Sequence, residues 1–200
     1  MRLYLVRHGQ TEENLRHEVQ GQLPGTLSPK GCQQAQALAE RFRNVPLQAI
    51  LTSDLNRTVQ TSAYVVKYHH LTPQELPLLR EQHYGIYQGK IMHDLSPAAP
   101  GGKEPIVSPP QGESAEDVLA RAHEFWSYLK ENFTDQTILV VSHGVFLSVL
   151  LWVVQDKPLP TKPTVDIDNA SVTLVSGDEN SGYQPDMVND TSHLSNTLNS

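Results

Sequence analysis

Two histidines in this chain stand in the same local setting. Arg7-His8-Gly9 follows the apolar run Leu3-Tyr4-Leu5-Val6, and Ser142-His143-Gly144 follows Ile138-Leu139-Val140-Val141. An imidazole can give, take or share a proton near neutral pH. Arg7 adjoins the first histidine, and Arg57 opens a helical pattern that follows a third apolar run. A guanidinium is a planar fork suited to an oxyanion. Glu81 follows a fourth apolar run, Leu76-Pro77-Leu78-Leu79. These residue types suit work on a small anion that is held by arginine and handled by imidazole and carboxyl. Singly, each has an ordinary reading. A histidine after a strand caps or packs, an arginine is solvated, and Glu81 can pair with its neighbour Arg80. What they share is placement at strand ends.

That placement depends on the elements. Leu3–Val6, Leu47–Leu51, Thr137–Val141 and Ala170–Val175 read as strands, and Leu76–Leu79 as a short edge strand because Pro77 cannot donate to a ladder. Ser28 with Pro29 starts a helix through Ala35, Leu38, Ala39 and Phe42. Asp54 is placed to cap a helix carrying Leu55, Val59, Ala63 and Val66. Ser114 with Asp117 resembles a capping box before Val118, Ala122, Phe125, Trp126 and Leu129. Val145–Val154 reads as a buried helix. Strands alternating with helices imply an α/β fold, a three-layer α/β/α sandwich on a mostly parallel sheet. In such a sheet ligands bind at the carboxyl ends of strands. Arg7, His8, Arg57, Glu81 and His143 then meet at one rim.

The boundaries expected are one domain over residues 1–177, with a proline-rich, lid-like insertion at about 91–116 and a polar, partly disordered tail at 178–200. The charge balance, 15 Lys+Arg against 22 Asp+Glu, gives −7 and argues against nucleic acid. It leaves room for a small anion in a locally basic cleft. Cys32 is the only cysteine, which rules out an internal disulfide and a cysteine zinc site. No apolar stretch reaches the length of a membrane span. The expectation is a cytoplasmic protein with no membrane or nucleic-acid partner. The strand at Ala170–Val175 is an edge or an interface, so a homodimer stays open.

The motifs carry a resemblance. Leu5-Val6-Arg7-His8-Gly9-Gln10-Thr11, with Asn14 after it, resembles the signature of the histidine phosphatase superfamily, in the branch that includes cofactor-dependent phosphoglycerate mutase. Four further stretches match in order. They are Gln20-Gly21 with Leu27-Ser28-Pro29-Lys30-Gly31, Ser53 to Thr61 around Arg57, Leu79-Arg80-Glu81 with Tyr84-Gly85 and Gln88-Gly89, and Val141-Ser142-His143-Gly144. Gly112-Glu113-Ser114 resembles the family's lead into its penultimate helix. The resemblance covers roughly residues 1–175.

The resemblance implies a phosphohistidine mechanism. His8 is then the nucleophile, neutral beside two arginines, with a backbone carbonyl fixing its tautomer. Arg7 and Arg57 hold the phosphoryl oxygens, and His143 is a further donor, charged in the transition state. Glu81 protonates the leaving oxygen and then activates water, and a bound dianion beside it favours the protonated acid. Asn14, Thr11, Gln20, Gly21, Tyr84 and Gly144 are the expected substrate contacts. No metal and no cofactor are implied. The partner is a small phosphorylated metabolite: a sugar phosphate, phosphoserine, phosphoglycerate or alpha-ribazole phosphate.

Two departures bear on the reaction. Gln22-Leu23-Pro24-Gly25-Thr26 stands where the family often has an aspartate. Residues 91–116 offer only Lys103 where mutases carry a longer basic insertion. The string Glu81 to Gly89 nonetheless resembles the mutases. A mutase must shield its phosphoryl group from water in a closed, positive pocket, so the short, poorly basic segment favours hydrolysis. The alternatives are a cofactor-dependent phosphoglycerate mutase and a catalytically inactive relative that only binds phospho-ligands.

Overall fold

The computed structural model describes residues 1–95, 108–157 and 166–195. Its strands are β1 (Arg2–Arg7), β2 (Ala49–Thr52), β3 (Gln74–Glu75), β4 (Thr137–Ser142), β5 (Val172–Asp178) and β6 (Gly182–Asp190). Its helices are α1 (Glu12–Leu15), α2 (Pro29–Phe42), α3 (Asn56–Val66), α4 (Ala115–Asn132) and α5 (Gly144–Val154). The six strands form one sheet in the order β3-β2-β4-β1-β5-β6. The pairs β2–β3, β2–β4 and β1–β4 are parallel, while β5 and β6 run antiparallel to their neighbours.

Side chains alternate across the sheet, as the two-residue strand period requires. Leu3 and Leu5 of β1, Leu51 of β2, and Ile138 and Val140 of β4 pack in one core with Phe125, Leu129 and Phe146 from α4 and α5. Val6, Ile50, Leu139 and Val141 face the other way, into a core with Leu38 and Phe42 of α2 and Val65 of α3. The fold is the expected three-layer α/β/α sandwich. Near-continuous apolar runs in β1 and β4 follow from burial on both faces.

The helix starts are set by local chemistry. Ser28 Oγ accepts from Gly31 N at 3.0 Å, with Pro29 in the first turn of α2. Ser114 and Asp117 form the full capping box of α4. Asp54 does not cap α3. The helix starts after Leu55 without a side-chain cap, Ser53 Oγ accepts from Leu55 N at 3.3 Å, and Asp54 is drawn off into an ion pair with Arg80.

Two expectations give way, and a third falls in part outside the described residues. Leu76–Leu79 is not a strand: Pro77–Leu79 is a 3-10 turn, and the edge strand is the two-residue Gln74–Glu75 before it. Pro77 sits in the first turn, where its missing N–H costs nothing. The chain from 178 is not a free polar tail as far as Asp190. β6 pairs with β5 along an irregular register, and Tyr183 packs edge-on against Trp126 at 4.8 Å. Its polar residues and Pro185 hide it from a search for apolar alternation, yet both belong on an edge strand. Of the lid-like insertion at 91–116, residues 96–107 lie outside the described residues. On either side, Ile91 bridges Glu18, and Ile86 N donates to Pro110 O at 3.1 Å.

Candidate active site

Register brings the two histidines together. Val6 lies opposite Val141 and Arg7 opposite Ser142 in the β1–β4 ladder, so the next residue of each strand leaves the sheet at the same level. His8 N donates to Ser142 O at 3.0 Å, and the His8 and His143 rings stand 5.3 Å apart, centroid to centroid. Both imidazoles are buried, at 3% and 0% exposure.

Their tautomers differ, and the partners decide which is which. His8 Nδ1 lies 2.7 Å from Gly9 O. A carbonyl can only accept, so Nδ1 carries the proton and Nε2 keeps its lone pair. His143 Nδ1 accepts from Arg57 Nε at 3.2 Å. An arginine N–H can only donate, so here Nδ1 is bare and the proton sits on Nε2. That Nε2–H is buried with no partner among the described residues. Burial pushes the pKa of both rings well below the ordinary 6.5, and Arg57 and Arg7 push further in the same direction. His8 is held neutral, as expected. The resting His143 is neutral too, where a charged donor was expected in the transition state. It remains a donor through Nε2–H.

The arginines are sorted by how many of their five N–H groups are already used. Arg7 makes one bond, from Nη1 to Ile167 O at 2.5 Å, and its buried Nε has no partner among the described residues. Leaving a buried donor unpaired costs about 1–3 kcal/mol. Two such donors in one site, Arg7 Nε and His143 Nε2, mark a place prepared for an acceptor. Arg57, 1% exposed, makes three bonds: to His143, to Gly21 O at 2.7 Å and to Leu23 O at 2.8 Å. Burial lowers its pKa to about 10, against the opposing pull of Glu81, so it stays a cation at neutral pH.

Glu81 faces the same cluster and interacts electrostatically with Arg7, Arg57 and Tyr84. It does not pair with Arg80, which is taken by Asp54. Its carboxylate instead accepts from the start of α5: Oε1 from Phe146 N at 3.1 Å and Oε2 from Val145 N at 3.1 Å, with Gln82 N on Oε1 at 3.0 Å. A helix N-terminus offers unpaired N–H groups to an anion, which fixes where this carboxyl sits.

The expected substrate contacts divide. Asn14 Oδ1 accepts from Thr11 N at 3.1 Å, and Asn169, which also bonds His8 O, approaches the same oxygen. Thr11 is fully buried and caps α1, accepting from Asn14 N at 3.1 Å, so it shapes the loop. Gly21 adopts φ +53° and gives its carbonyl to Arg57, which makes it a support. Gln20 Oε1 is buried without a partner among the described residues, but an oxygen acceptor cannot serve a dianion. Tyr84 lies in the field of Glu81, Arg7 and Arg57, and desolvation, then Glu81, hold its phenol protonated. Gly144 opens α5 beneath the Arg7 guanidinium, where a Cβ would touch it at 3.5 Å.

Several residues of the site were not singled out in the sequence. Thr61 Oγ1 accepts from Gly9 N at 3.1 Å and donates to Arg57 O at 2.7 Å, joining the two motifs. Asn169 Nδ2 donates to His8 O at 3.1 Å and approaches Asn14 Oδ1 at 3.4 Å. Nothing near Asn169 signals this, since its partners lie about 160 residues away. Gln22, in the departing loop, donates from Nε2 to Glu81 O at 3.0 Å. The loop at 21–23 therefore touches both Arg57 and the Glu81 segment. Among the described residues, no cluster of His, Cys, Asp and Glu could hold a metal ion, and no helix is long and apolar enough to cross a membrane.

Comparison with known proteins gives a consistent picture. Residues 3–191 match the family described as histidine phosphatase superfamily (branch 1). A Yersinia pestis protein named "Probable phosphoglycerate mutase GpmB" is 31% identical, over 97% of this chain and 95% of its own. A solved mycobacterial glucosyl-3-phosphoglycerate phosphatase is 30% identical with a TM-score of 0.86, covering 95% of this chain and 99% of its own. The alpha-ribazole phosphatase of Shigella flexneri is 25% identical with a TM-score of 0.84, covering 95% and 96%.

Proposed function

The chain belongs to branch 1 of the histidine phosphatase superfamily, and on that premise we propose that it hydrolyses small phosphomonoesters through a phosphohistidine at His8, without a metal ion. The observation that carries this reading is the pair of opposed tautomers. His8 offers a bare Nε2 and His143 an Nε2–H, inside a pocket that holds two arginines.

In the first step the Nε2 lone pair of His8 attacks phosphorus, and the bond from phosphorus to the leaving oxygen breaks. That oxygen takes its proton from Glu81. The Nδ1–H bond to Gly9 O supports the positive charge that the phosphorylated ring acquires. The free N–H groups of Arg7 and Arg57, with His143 Nε2–H, are donors for the equatorial oxygens, whose charge is what catalysis of phosphoryl transfer must stabilise. In the second step Glu81 takes a proton from water, the water oxygen attacks phosphorus, and the P–N bond breaks. Neutral His8 and inorganic phosphate result. Glu81 Oε2 accepts only one backbone N–H and keeps a lone pair for the travelling proton.

A phosphoglycerate mutase is the second reading, favoured by the name of the Yersinia relative and by the 81–89 string. Against it, the two arginines that flank Glu81 are engaged, Arg80 by Asp54 and Arg121 by Glu113, rather than free for a second anionic group on the substrate. The third reading, an inactive binder, is opposed by the presence of His8, His143, Arg7, Arg57 and Glu81 together.

The test is phosphate release from a panel of sugar phosphates, phosphoserine, phosphoglycerates and alpha-ribazole phosphate in EDTA, wild type beside His8→Ala. Turnover that survives EDTA and vanishes in His8→Ala is expected. Turnover that persists in His8→Ala would sink the mechanism. No release from any substrate, with phosphoryl exchange between phosphoglycerates, would move the assignment to the mutase.

A further inference from the structure

Arg121 lies on α4, outside every motif that carries the chemistry above, yet it is the most fully engaged arginine near the site. Its Nε donates to Glu113 Oε1 at 2.9 Å and its Nη2 to Glu113 Oε2 at 2.9 Å. Nη1 donates to Leu78 O at 2.8 Å and Arg80 O at 2.7 Å, and Nη2 also reaches Glu81 O at 3.3 Å. A guanidinium has five N–H groups, and these five bonds use all of them. None is left for a substrate. The plane rests over the Phe146 ring at 5.0 Å.

Glu113 completes the frame. Its Oε2 accepts from His83 N at 2.8 Å and from Gln22 Nε2 at 3.4 Å. Its backbone N donates to His83 O at 2.8 Å, and its backbone O accepts from Gln82 Nε2 at 2.8 Å. The segment 78–83 contains no α-helix or strand, and beyond this frame Ser142 Oγ holds Leu79 O at 2.7 Å and Gln22 Nε2 holds Glu81 O at 3.0 Å. Its carbonyls at 78, 80 and 81 converge on one cation, whose charge is met by one carboxylate.

We propose that the Arg121–Glu113 pair is a positioning device for Glu81: it fixes the backbone from which the carboxyl, held at its far end by the N–H groups of α5, meets the leaving oxygen, and it does so without touching substrate. The inference rests on the phosphohistidine reading above. A bidentate arginine–carboxylate pair fixes direction as well as distance, and proton transfer demands the acid within hydrogen-bond reach of its target. A displaced Glu81 would harm substrates that leave as alkoxides and spare those that leave as stabilised phenolates.

The experiment follows His8 phosphorylation in a single turnover by rapid quench, from p-nitrophenyl phosphate and from glycerol 3-phosphate. It compares wild type, Glu81→Gln, Glu113→Gln and Arg121→Lys. Glu113→Gln is isosteric and guards against loss of fold in Arg121→Lys, and near-ultraviolet circular dichroism checks both. Glu113→Gln and Arg121→Lys are expected to slow labelling from glycerol 3-phosphate by about tenfold or more, and from p-nitrophenyl phosphate by less than about threefold, in the pattern of Glu81→Gln. Equal losses from both donors, or no loss from either, would overturn the proposal. Phosphohistidine that forms in the wild type without phosphate release would fail the hydrolase reading and leave the donor ratio readable. A wild type that labels from neither donor would overturn both.

Discussion

At the scale of single residues, the resemblance names the reacting groups and the structure sets their protonation. The sequence offers two equivalent His-Gly pairs after two apolar strands. Only the partners, a carbonyl for His8 and a guanidinium for His143, leave one ring with a bare Nε2 and the other with an Nε2–H. The carbonyl on His8 is the one that the resemblance implies, but the guanidinium on His143 is not legible from spacing, because Arg57 and His143 are 86 residues apart. The shift on His8 has a kinetic consequence. In the proposed mechanism the reactive ring is the neutral one, and its protonated fraction grows as pH falls through its own pKa. Burial, Arg57 and Arg7 place that pKa well below 6.5. The contribution of His8 to the acid limb of the kcat/KM profile is therefore expected well below pH 6.5. An NMR titration of the free protein in which the His8 ring protonates near 6.5 would contradict that placement.

At the scale of elements, the legible parts were those with a strong period or a strong cap. β1 and β4 announce themselves by continuous apolar runs, and α2 and α4 by Ser28 and by the Ser114–Asp117 box. What was missed depends on tertiary competition: Asp54 is taken from its helix by Arg80, and β6 has polar alternation proper to an edge. The packing of α2 on the loop after His8 is a close backbone joint. A Cβ on Gly31 would lie 1.9 Å from Gln10 O, and one on Gly9 would lie 2.7 Å from Gly31 O. Backbone meets backbone here, so no side chain can swing aside. Gly31→Ala is expected to push α2 away from Gln10, costing about 1–3 kcal/mol as overpacking does. The same shift should lower kcat, because Gln10 follows His8-Gly9 directly. Urea unfolding and turnover measured on one preparation would check both, and an unchanged unfolding midpoint would contradict the close approach.

At the scale of the whole molecule, the sheet extends past the expected boundary at residue 177. β6 closes the edge of β5, Tyr183 packs on Trp126 at 4.8 Å, and Asp190 pairs with Arg41 of α2 at 2.6 Å. A chain ended after Gly177 is expected to lose about 10 °C or more in Tm, or to aggregate through the bared β5. Wild-type Tm in that truncation would restore the shorter domain. The sheet order carries one more consequence. β1 lies between β4 and β5, yet roughly 130 residues of chain separate it from β4. On a ribosome β1, which leads into His8, emerges on the order of ten seconds before its parallel partner β4. Through that interval Leu3-Tyr4-Leu5-Val6 is a bare apolar ribbon with no ladder to join. The residues that later lie sealed between the two helix layers are thus, during synthesis, a stretch in need of a chaperone's cover.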